Sequence, residues 1–517
     1  MSLRHLAIFV LTLSSAAELA AQSRRADAAT ARSAVAALPS LGVAPGDRPA
    51  PRLEIGGVVD LAAGERFDLI LERFEVATPG ATLVVHGASG KRVEPLPPGA
   101  YFKGEIAGRP FSRVLVTLHD RELRGLAVDG SAVYMLGFGS DEARGVGRLE
   151  ARKVSPAELP PRREPFSCGS ELLREPSRAL ELAFSRDLRR RAIAHSVLRE
   201  RLAIPEVATA SAVYAIETDF ELYDIFDSVT ATADYVLDLL AYISVLYDAD
   251  VEATILVGTI YLHTTAADPW VETTSACALF EFGRYWNNNH DSVSRTAAVM
   301  LAGRGSNSGV AWRGVLCYPE FTYDHGGACP GLTPASSNYG GGYAYVGSLD
   351  GVFDINNPLV IWDLVATAHE IGHNFDSKHS HCYKGVVGVD QIDRCYTLEK
   401  TDLVGNPDDC LGVGSAAYWE NSLCACGTTS YPGTGATTGG SSGNAGGTIM
   451  SYCHTLAGGF TNVALTFGEG HSLGLDAYRE ADWMSSYINS LGSCVAVGLF
   501  LDGFEVGATS RWSAAVP

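Results

Sequence analysis

The chain is poor in charge, and most of the charge it carries is negative. Of its 517 residues, 19% are charged, and 59 acidic against 39 basic residues give a formal net charge of −20. Such a composition argues against nucleic acid or an anionic membrane as a partner. After the N-terminal segment, no run in the sequence is expected to supply the roughly 20 apolar residues that a membrane span needs. The length allows more than one domain with a sizeable core.

Cysteine is almost absent from the first half of the chain. Of eleven cysteines, ten lie between Cys277 and Cys494, and the one upstream is Cys168. An even set of this kind in an exported protein predicts up to five disulfides that staple one domain. A structural zinc cluster is the alternative for Cys424 and Cys426, but their spacing is a poor match to zinc sites.

The N-terminus has the composition of a signal peptide. Arg4 and His5 precede an apolar run at 6–13, and small residues follow up to Ala21. Such a segment directs export, and its apolar run is too short to anchor the chain in a membrane. We therefore expect a secreted protein whose residues 1–21 are removed.

A group of histidines carries the clearest chemistry. His369 and His373 are four residues apart, which places both on one face of a helix with Glu370 beside them. His379 follows six residues after the second histidine. Three histidines can hold one tetrahedral zinc and leave its fourth position open for water, which is typical of a catalytic site. The alternative is a core helix that holds two histidines by chance.

The residues before this motif predict the helix itself. Asn357 and Pro358 have the composition of a cap and a first helical residue. The helix must end soon after His373 so that His379 can return to the metal. Apolar or small residues recur at helical spacing: Ile361, Leu364, Val365, Ala368 and Gly372.

The motif resembles that of the metzincin zinc proteases, in which a glycine lies three residues after the second histidine. That glycine allows the turn that returns the third histidine, and Asp376 occupies its position here. Aspartate tolerates a left-handed backbone at a cost of about 1–2 kcal/mol, so the turn stays feasible. The resemblance implies an endopeptidase with His369, His373 and His379 as zinc ligands and Glu370 as general base.

Two other functions stay open. A metzincin fold without activity would serve as a secreted binding protein, and Asp376 in place of glycine favours that function. A zinc-storage protein is the third candidate. Storage, however, needs no glutamate buried beside the metal.

A second segment of the chain resembles the same family. Residues 447–454 resemble the tight turn that places a methionine beneath the metzincin zinc, and Met450 is one of only five methionines. The group most similar is the adamalysins or reprolysins, although Ser380 stands where they have aspartate and matrixins have serine. By this resemblance Tyr452 would stabilise the oxyanion, and packing near a disulfide is its alternative role.

The order of elements predicts an α+β fold, a metzincin catalytic domain over residues 206–496. Residues 211–218 alternate like a strand, 230–247 have helical spacing, and 251–262 form a second strand. This order implies a parallel pair of strands joined by a crossover helix. Further strand-like runs precede the zinc helix, and a last helix closes the domain: 297–301, 310–316, 343–349 and the helix 476–490.

The resemblance also implies where substrate binds. In the family, the last strand before the zinc helix pairs with extended peptide, which implies that four residues bind substrate backbone by strand addition. An internal strand without a ligand is the alternative. We expect protein or peptide substrates and a monomeric protein. The four residues are Tyr343, Ala344, Tyr345 and Val346.

Calcium is left open as a second cation beside the one catalytic zinc. Reprolysin-like domains can bind calcium, and Glu217 or Asp219 would be its ligands here. No loop rich in acidic residues is visible in the sequence, so the residues themselves do not predict a calcium site.

Residues 22–205 are expected to form a propeptide. Short alternating runs predict a small β-rich prodomain at 50–140, with a hairpin turn at Asp129 and Gly130. The residues at 101–104 and 123–126 resemble motifs of reprolysin propeptides. The expected order along the chain is therefore a small β-rich prodomain followed by the catalytic domain.

Latency is expected to depend on Cys168. The resemblance implies that its thiolate binds the zinc and displaces the reactive water, and a free or intermolecular thiol is the alternative. Maturation is expected between residues 189 and 210, where an arginine run marks either a processing site or a solvated helix face. Residues 427–447 are expected to be a loop, and 497–517 a short tail.

Overall fold

A computed structural model describes fourteen stretches of the chain. The predicted signal peptide, the arginine run, Asn357, Cys424 and Cys426 lie outside them, as do residues 427–446 and 498–517. The described residues are 52–119, 122–130, 132–138, 149–155, 158, 167–168, 210–305, 308–351, 353–355, 358–383, 392–393, 447–455, 462–468 and 478–497.

Seven strands of the N-terminal region close into a barrel. Neighbouring strands are antiparallel, except where the last strand closes onto the first in parallel. The β-rich region therefore runs to Lys153 rather than to residue 140, because the last strand is needed for closure. The strands, in barrel order, are β1 (Arg52–Asp60), β2 (Arg66–Phe74), β5 (Ala100–Ile106), β6 (Arg109–His119), β7 (Glu122–Asp129), β8 (Ala132–Phe138) and β9 (Leu149–Lys153).

Side-chain alternation builds the core of this barrel. In β2, Phe67, Leu69 and Leu71 are buried while the residues between them are more exposed, as a strand with one face in a core requires. The hairpin between β7 and β8 turns at Gly130, whose φ of 59° is a conformation that glycine adopts without steric cost. This confirms the predicted turn at Asp129 and Gly130.

A nine-stranded mixed sheet forms the centre of the protein. Eight of its strands follow one another in the order β10, β14, β17, β13, β11, β12, β3, β4, and the ninth, β18, pairs with β11. Their bounds are β3 (Ala77–Gly87), β4 (Gly90–Pro95), β10 (Ser167–Cys168), β11 (Ala210–Thr218), β12 (Ala253–His263), β13 (Ala297–Leu301), β14 (Ser308–Ala311), β17 (Tyr343–Val346) and β18 (Ala496–Val497).

The N-terminal region and the region from residue 210 onward share this sheet. β3 leaves the barrel sequence after β2 and pairs in parallel with β12, so that Thr82 lies opposite Thr259 and His86 opposite His263. β4 then folds back against β3 as the outermost strand. Two strands of the region predicted as a β-rich prodomain therefore extend the sheet that holds β11 and β12.

The predicted strand, helix and strand at the start of the catalytic region are present. β11 and β12 are parallel and are joined through α1 (Phe220–Phe226) and α2 (Val229–Val251). Asp219 and Ser228 cap the two helices by accepting from backbone N–H groups of the first turn. These caps explain why each helix begins where it does.

By length and composition, α2 could cross a membrane. The expectation that no segment after the N-terminus would be long and apolar enough is therefore wrong. However, 83% of its most apolar stretch is buried inside the protein. It packs against β12 and against strand β6 of the barrel. A core helix that is covered on nearly every side explains an apolar surface of this kind.

Three more helices and one hairpin complete the described catalytic region. Two disulfides join distant parts of it, Cys277 to Cys329 and Cys317 to Cys494, and Cys453 is also disulfide-bonded. The remaining elements are α3 (Ser275–Asn289), α4 (Val360–Asn374), α5 (Tyr478–Ser490), β15 (Phe321–Asp324) and β16 (Ser336–Gly340).

Ion pairs connect the barrel to α2. The imidazole of His119 lies between two aspartates of the helix, with Nε2 2.6 Å from Asp238 Oδ1 and Nδ1 3.2 Å from Asp234 Oδ1. Burial alone would lower the pKa of His119, but the two carboxylates outweigh it and raise the pKa to about 10. Two further pairs join the same surfaces, Lys103 with Asp248 and Arg113 with Asp250.

We predict that His119 makes the stability of the precursor fall in alkali. Because the folded-state pKa lies above the unfolded value of 6.5, its contribution is complete below pH 6.5 and is lost as the pH approaches 10. In urea unfolding, the free energy should decrease by about 3 kcal/mol between pH 7 and pH 9.5. His119→Gln should be less stable at pH 7 and show a flatter profile. Parallel profiles for the two proteins would contradict the prediction.

Candidate metal centre

Helix α4 delivers the first three residues of the motif. His369, Glu370 and His373 are all buried, and both histidines use Nδ1 to donate to a backbone carbonyl. The acceptors are Ile449 O and Ser377 O, each at 2.8 Å. Because a carbonyl can only accept, Nε2 of each ring is left as a lone pair that points away from these bonds.

The chain returns to the helix through Asp376. Its φ of 67° is left-handed, the conformation expected for the residue that replaces glycine. Its N–H donates to His373 O at 2.8 Å, and the N–H of Ser377 donates to Gly372 O at 2.9 Å, which ends the helix. The turn brings His379 Nε2 to 3.2 Å from His373 Nε2 and 3.1 Å from His369 Nε2.

The three nitrogens fit one zinc ion. Ligands arranged tetrahedrally at a Zn–N distance of 2.0–2.1 Å lie about 3.3 Å apart, close to the observed spacing. Burial and the neighbouring rings of His373 and His379 hold the pKa of His369 well below its usual value, so the ring is in the neutral form that binds metal. One metal cation bound by all three Nε2 atoms would satisfy these buried nitrogens together.

Cys168 completes the group. Its Sγ lies 3.3 Å from His373 Nε2 and 3.6 Å from Glu370 Oε2, and its ligand atom and those of the three histidines all lie within 4.8 Å of one another. The residue is held there because β10 pairs in parallel with β14, with Cys168 opposite Gly309. The structure thus brings the upstream cysteine to the position where a fourth zinc ligand would lie.

Met450 packs beneath the zinc helix. It is fully buried in a turn in which the N–H of Ser451 donates to Thr448 O at 3.1 Å. A Cβ on Gly372 would come within 2.5 Å of the Met450 sulfur, so the helix has no room for a side chain at that position. The small residue in the motif and the methionine are therefore complementary in shape.

Tyr452 lies beside the site but contacts the upstream segment. Its ring centroid is 4.8 Å from that of His379. Its hydroxyl accepts from Cys168 N at 3.0 Å and donates to Cys168 O at 3.1 Å. Tyr452 therefore helps to hold the cysteine, an arrangement that sequence reasoning did not anticipate.

The four residues predicted to bind substrate backbone lie inside the sheet. Strand β17, Tyr343–Val346, is parallel to β13 on one side and antiparallel to β14 on the other. Both rows of its backbone groups are therefore paired, and the prediction of strand addition at this segment is wrong. The internal strand, which was the alternative, is what the structure contains. On this side of the sheet, β14 follows β17, and the two-residue strand β10 is outermost and pairs with β14.

Gly309 on β14 is a site residue that sequence reasoning missed. A Cβ there would lie 2.4 Å from Glu370 Oε1, so glycine is what lets the edge strand pass over the carboxylate. The only signal in the sequence is a glycine in a strand, which marks close approach of another group. His381 and His454 were missed as well, and their rings lie 5.5 and 5.9 Å from that of Tyr452.

The two residues left open for calcium are held by protein groups. Glu217 is bonded to His263 Nε2 at 3.0 Å and to Trp286 Nε1 at 2.9 Å. Asp219 accepts from Gly303 N and forms an ion pair with Arg304 at 3.2 Å. The Arg304 guanidinium pairs with Asp219, Glu221 and Asp268 and so supplies the positive charge beside Asp219, while Glu217 is bonded to His263 and Trp286. Calcium at Glu217 or Asp219 is therefore unsupported.

Comparisons with known proteins agree with this geometry. Residues 208–463, just under half of the chain, match the model of Reprolysin_5, metallo-peptidase family M12. A comparison with curated proteins finds no match.

Two solved structures show a distant similarity. Metalloproteinase-II from Bacteroides fragilis is 11% identical, with 69% of this chain and 90% of that one covered at a TM-score of 0.34. A chaperone–substrate complex is 13% identical, with 34% and 25% covered at a TM-score of 0.22. At these scores neither structure carries an argument about this protein.

We predict that Asp376→Gly destabilises the precursor although it restores the family glycine. Glycine would relieve about 1 kcal/mol of backbone strain. It would also remove the Asp376 carboxylate, which lies 3.2 Å from Arg313 Nε and accepts from Trp483 Nε1 at 2.9 Å. Bonds to charged groups contribute about 1.5–3 kcal/mol, so the net loss should be about 1–2 kcal/mol. Urea unfolding measures it, with Asp376→Asn as the matched control, and a more stable glycine variant would contradict it.

Proposed function

We propose that this chain, a reprolysin-type member of the M12 metallopeptidases over residues 208–463, is a zinc-dependent endopeptidase that is exported as a latent precursor. The observation that carries the proposal is the convergence of His369, His373, His379 and Cys168 on one buried point beside Glu370. The boundaries proposed are a signal peptide at 1–21, a propeptide at 22–205, the protease at 206–496 and a tail at 497–517.

His369, His373 and His379 would hold the zinc through their Nε2 atoms. A zinc ion there supplies a Lewis acid that polarises the scissile carbonyl and lowers the pKa of an attacking water. Ile449 O and Ser377 O fix the ring orientation of the first two histidines, as hydrogen bonds behind metal ligands commonly do.

Glu370 would act as general base and then as general acid. Its carboxylate lies 3.6 Å from the Cys168 sulfur, so the position left by the thiol is within reach of the carboxylate. Glu370 takes a proton from the attacking water there and passes it to the leaving amine. Gly309 leaves room for this carboxylate, because a Cβ at that position would collide with it.

Tyr452 would stabilise the oxyanion once Cys168 has left. Its hydroxyl now contacts the Cys168 backbone, and departure of that segment frees the O–H to donate to developing negative charge. Met450 would support the helix from below, at the small Gly372.

Substrate would bind along the outer edge of β14. The backbone of Ser167 and Cys168 already lies there as an added strand, which supports the edge as a peptide-binding surface. Protein or peptide substrates fit such an edge. We keep a monomer as the proposed state, and an acidic chain of net charge −20 disfavours nucleic acid as a ligand.

Latency would follow from the same contact. As a thiolate, Cys168 is a soft ligand that would occupy the fourth zinc position and exclude water. Its Sγ lies against both His373 and Glu370, so one residue blocks the metal position and the general base together. Export and maturation cleavage between residues 189 and 210 complete the proposal.

We predict that Cys168→Ala activates the uncut precursor. Without the sulfur, water can enter the fourth position, and cleavage of a mixed peptide library should rise at least tenfold over the wild-type precursor. Ser167→Ala is the matched control and should stay latent. A Cys168→Ala precursor as inactive as the wild type, with zinc bound, would contradict the latency mechanism.

We predict that Glu370→Gln in the Cys168→Ala precursor reduces turnover at least 100-fold and leaves one zinc per chain. Loss of the general base removes proton transfer but no metal ligand. Peptide cleavage and metal content measured on the same samples, with and without a zinc chelator, test this. If protein freed of residues 1–205 by cleavage is folded and zinc-loaded but cleaves nothing, the inactive secreted binding protein becomes the better description.

A further inference from the structure

A buried carboxyl group lies behind the metal centre and has no role in the mechanism above. Glu480, on α5, is completely buried. Burial raises its pKa to about 8, and the nearby hydroxyls of Ser380 and Thr448 lower it only in part. Among the described residues, neither of its two oxygens has a fully formed hydrogen bond. Burying a carboxyl group without hydrogen bonds costs folding free energy, so its presence here calls for an explanation.

The charged neighbours of Glu480 do not neutralise it by direct contact. Arg479, the adjacent residue, sends Nη1 to Tyr383 O at 3.1 Å and favours the ionised carboxylate only through its field. Asp393 adds a second negative charge and opposes ionisation. The groups that can bond to the carboxyl are therefore the two hydroxyls beside it.

Those hydroxyls join the third histidine to the methionine turn. Ser380 follows His379 directly, and its N–H donates to Met450 O at 3.1 Å. Ser380 Oγ and Thr448 Oγ1 are 2.8 Å apart, and Thr448 Oγ1 accepts from Met450 N at 3.2 Å. Glu480 thus lies at the point where the return chain and the turn beneath the zinc helix meet.

We propose that Glu480 is a positioning residue of the zinc site. Its carboxyl group lies beside the hydroxyls of Ser380 and Thr448 and can accept from both, and this contact fixes the backbone that carries His379 against the turn that carries Met450. Of the three histidines, His379 alone lies beyond the helix, so its position depends on such contacts rather than on helix geometry. The proposal rests on the proposed function, because it assigns Glu480 a role in holding the zinc ligands of that site.

The test compares Glu480→Ala and Glu480→Gln in the Cys168→Ala precursor. Glu480→Ala should weaken zinc binding at least tenfold, measured by competition with a chelator dye, and lower kcat at least tenfold with KM within twofold. The visible spectrum of the cobalt-substituted protein should shift, because the geometry of one ligand changes. Glu480→Gln keeps an acceptor oxygen and should stay within threefold of the parent.

Two further variants separate positioning from a merely structural role. Glu217→Ala removes another fully buried carboxylate, bonded to His263 and Trp286, and should lower the Tm without changing zinc affinity. Ser380→Asp combined with Glu480→Ala returns a carboxyl group to the same contact and should recover zinc affinity. If Glu480→Ala does not fold, Ser380→Ala breaks the contact from the other side and should show the same loss.

The outcomes are distinguishable. If Glu480→Ala lowers the Tm but leaves zinc affinity, kcat and the cobalt spectrum unchanged, Glu480 is structural and the proposal is overturned. A Cys168→Ala parent that binds no zinc overturns the proposed function itself, and this inference with it, before any change at Glu480 is made.

Discussion

The constraint on which the site depends is the burial of three imidazole nitrogens that face one another. With Nδ1 of His369 and His373 committed to backbone carbonyls, the Nε2 lone pairs of these two rings cannot satisfy each other. A metal cation would satisfy all three nitrogens at once, and the apolar core around them raises the cost of leaving any of them unsatisfied. Helix α4, the left-handed turn at Asp376 and the turn at Met450 all act to hold the three rings in this geometry.

At two positions beside the site, glycine is needed because neighbouring side chains fill the space that a Cβ would occupy. Gly372 leaves space for the Met450 sulfur, and Gly309 leaves space for the Glu370 carboxylate. In both places a single Cβ would enter an occupied volume, so close approach rather than chain flexibility is what these glycines provide. Asp376 is different, because it has a side chain at a left-handed position and that side chain contacts Arg313 and Trp483.

Local features were predictable from the sequence because local physics determines them. The spacing of His369 and His373 specifies one helix face, and aspartate in place of glycine predicts the left-handed φ found at Asp376. The turn at Gly130 and the β11–α2–β12 order follow from equally short-range patterns.

Features that depend on which distant segments meet were not predictable. Tyr343–Val346 is apolar enough for either an edge or an internal strand, and only the neighbours β13 and β14 decide between them. The same holds for β3, which was expected in the prodomain and pairs with β12 instead of joining the barrel. It also holds for Arg304, which lies 85 residues along the chain from the Asp219 that it contacts. The residues around Glu480 in the sequence do not predict its role, because Ser380 and Thr448 approach it from two distant segments of the chain.

Because β3 pairs with β12, cleavage of the chain and release of the N-terminal region would be two separate events in any maturation. A cut in the linker removes no hydrogen bond between β3 and β12, so scission and departure of the N-terminal region are separate steps. Departure would strip β12 of a partner along the register from Val257 to His263 and expose an unpaired strand edge. Such edges pair readily with other chains. Under the proposed maturation, the N-terminal region would therefore cover the far side of the sheet, and its residence time after cleavage would set how long that edge stays paired.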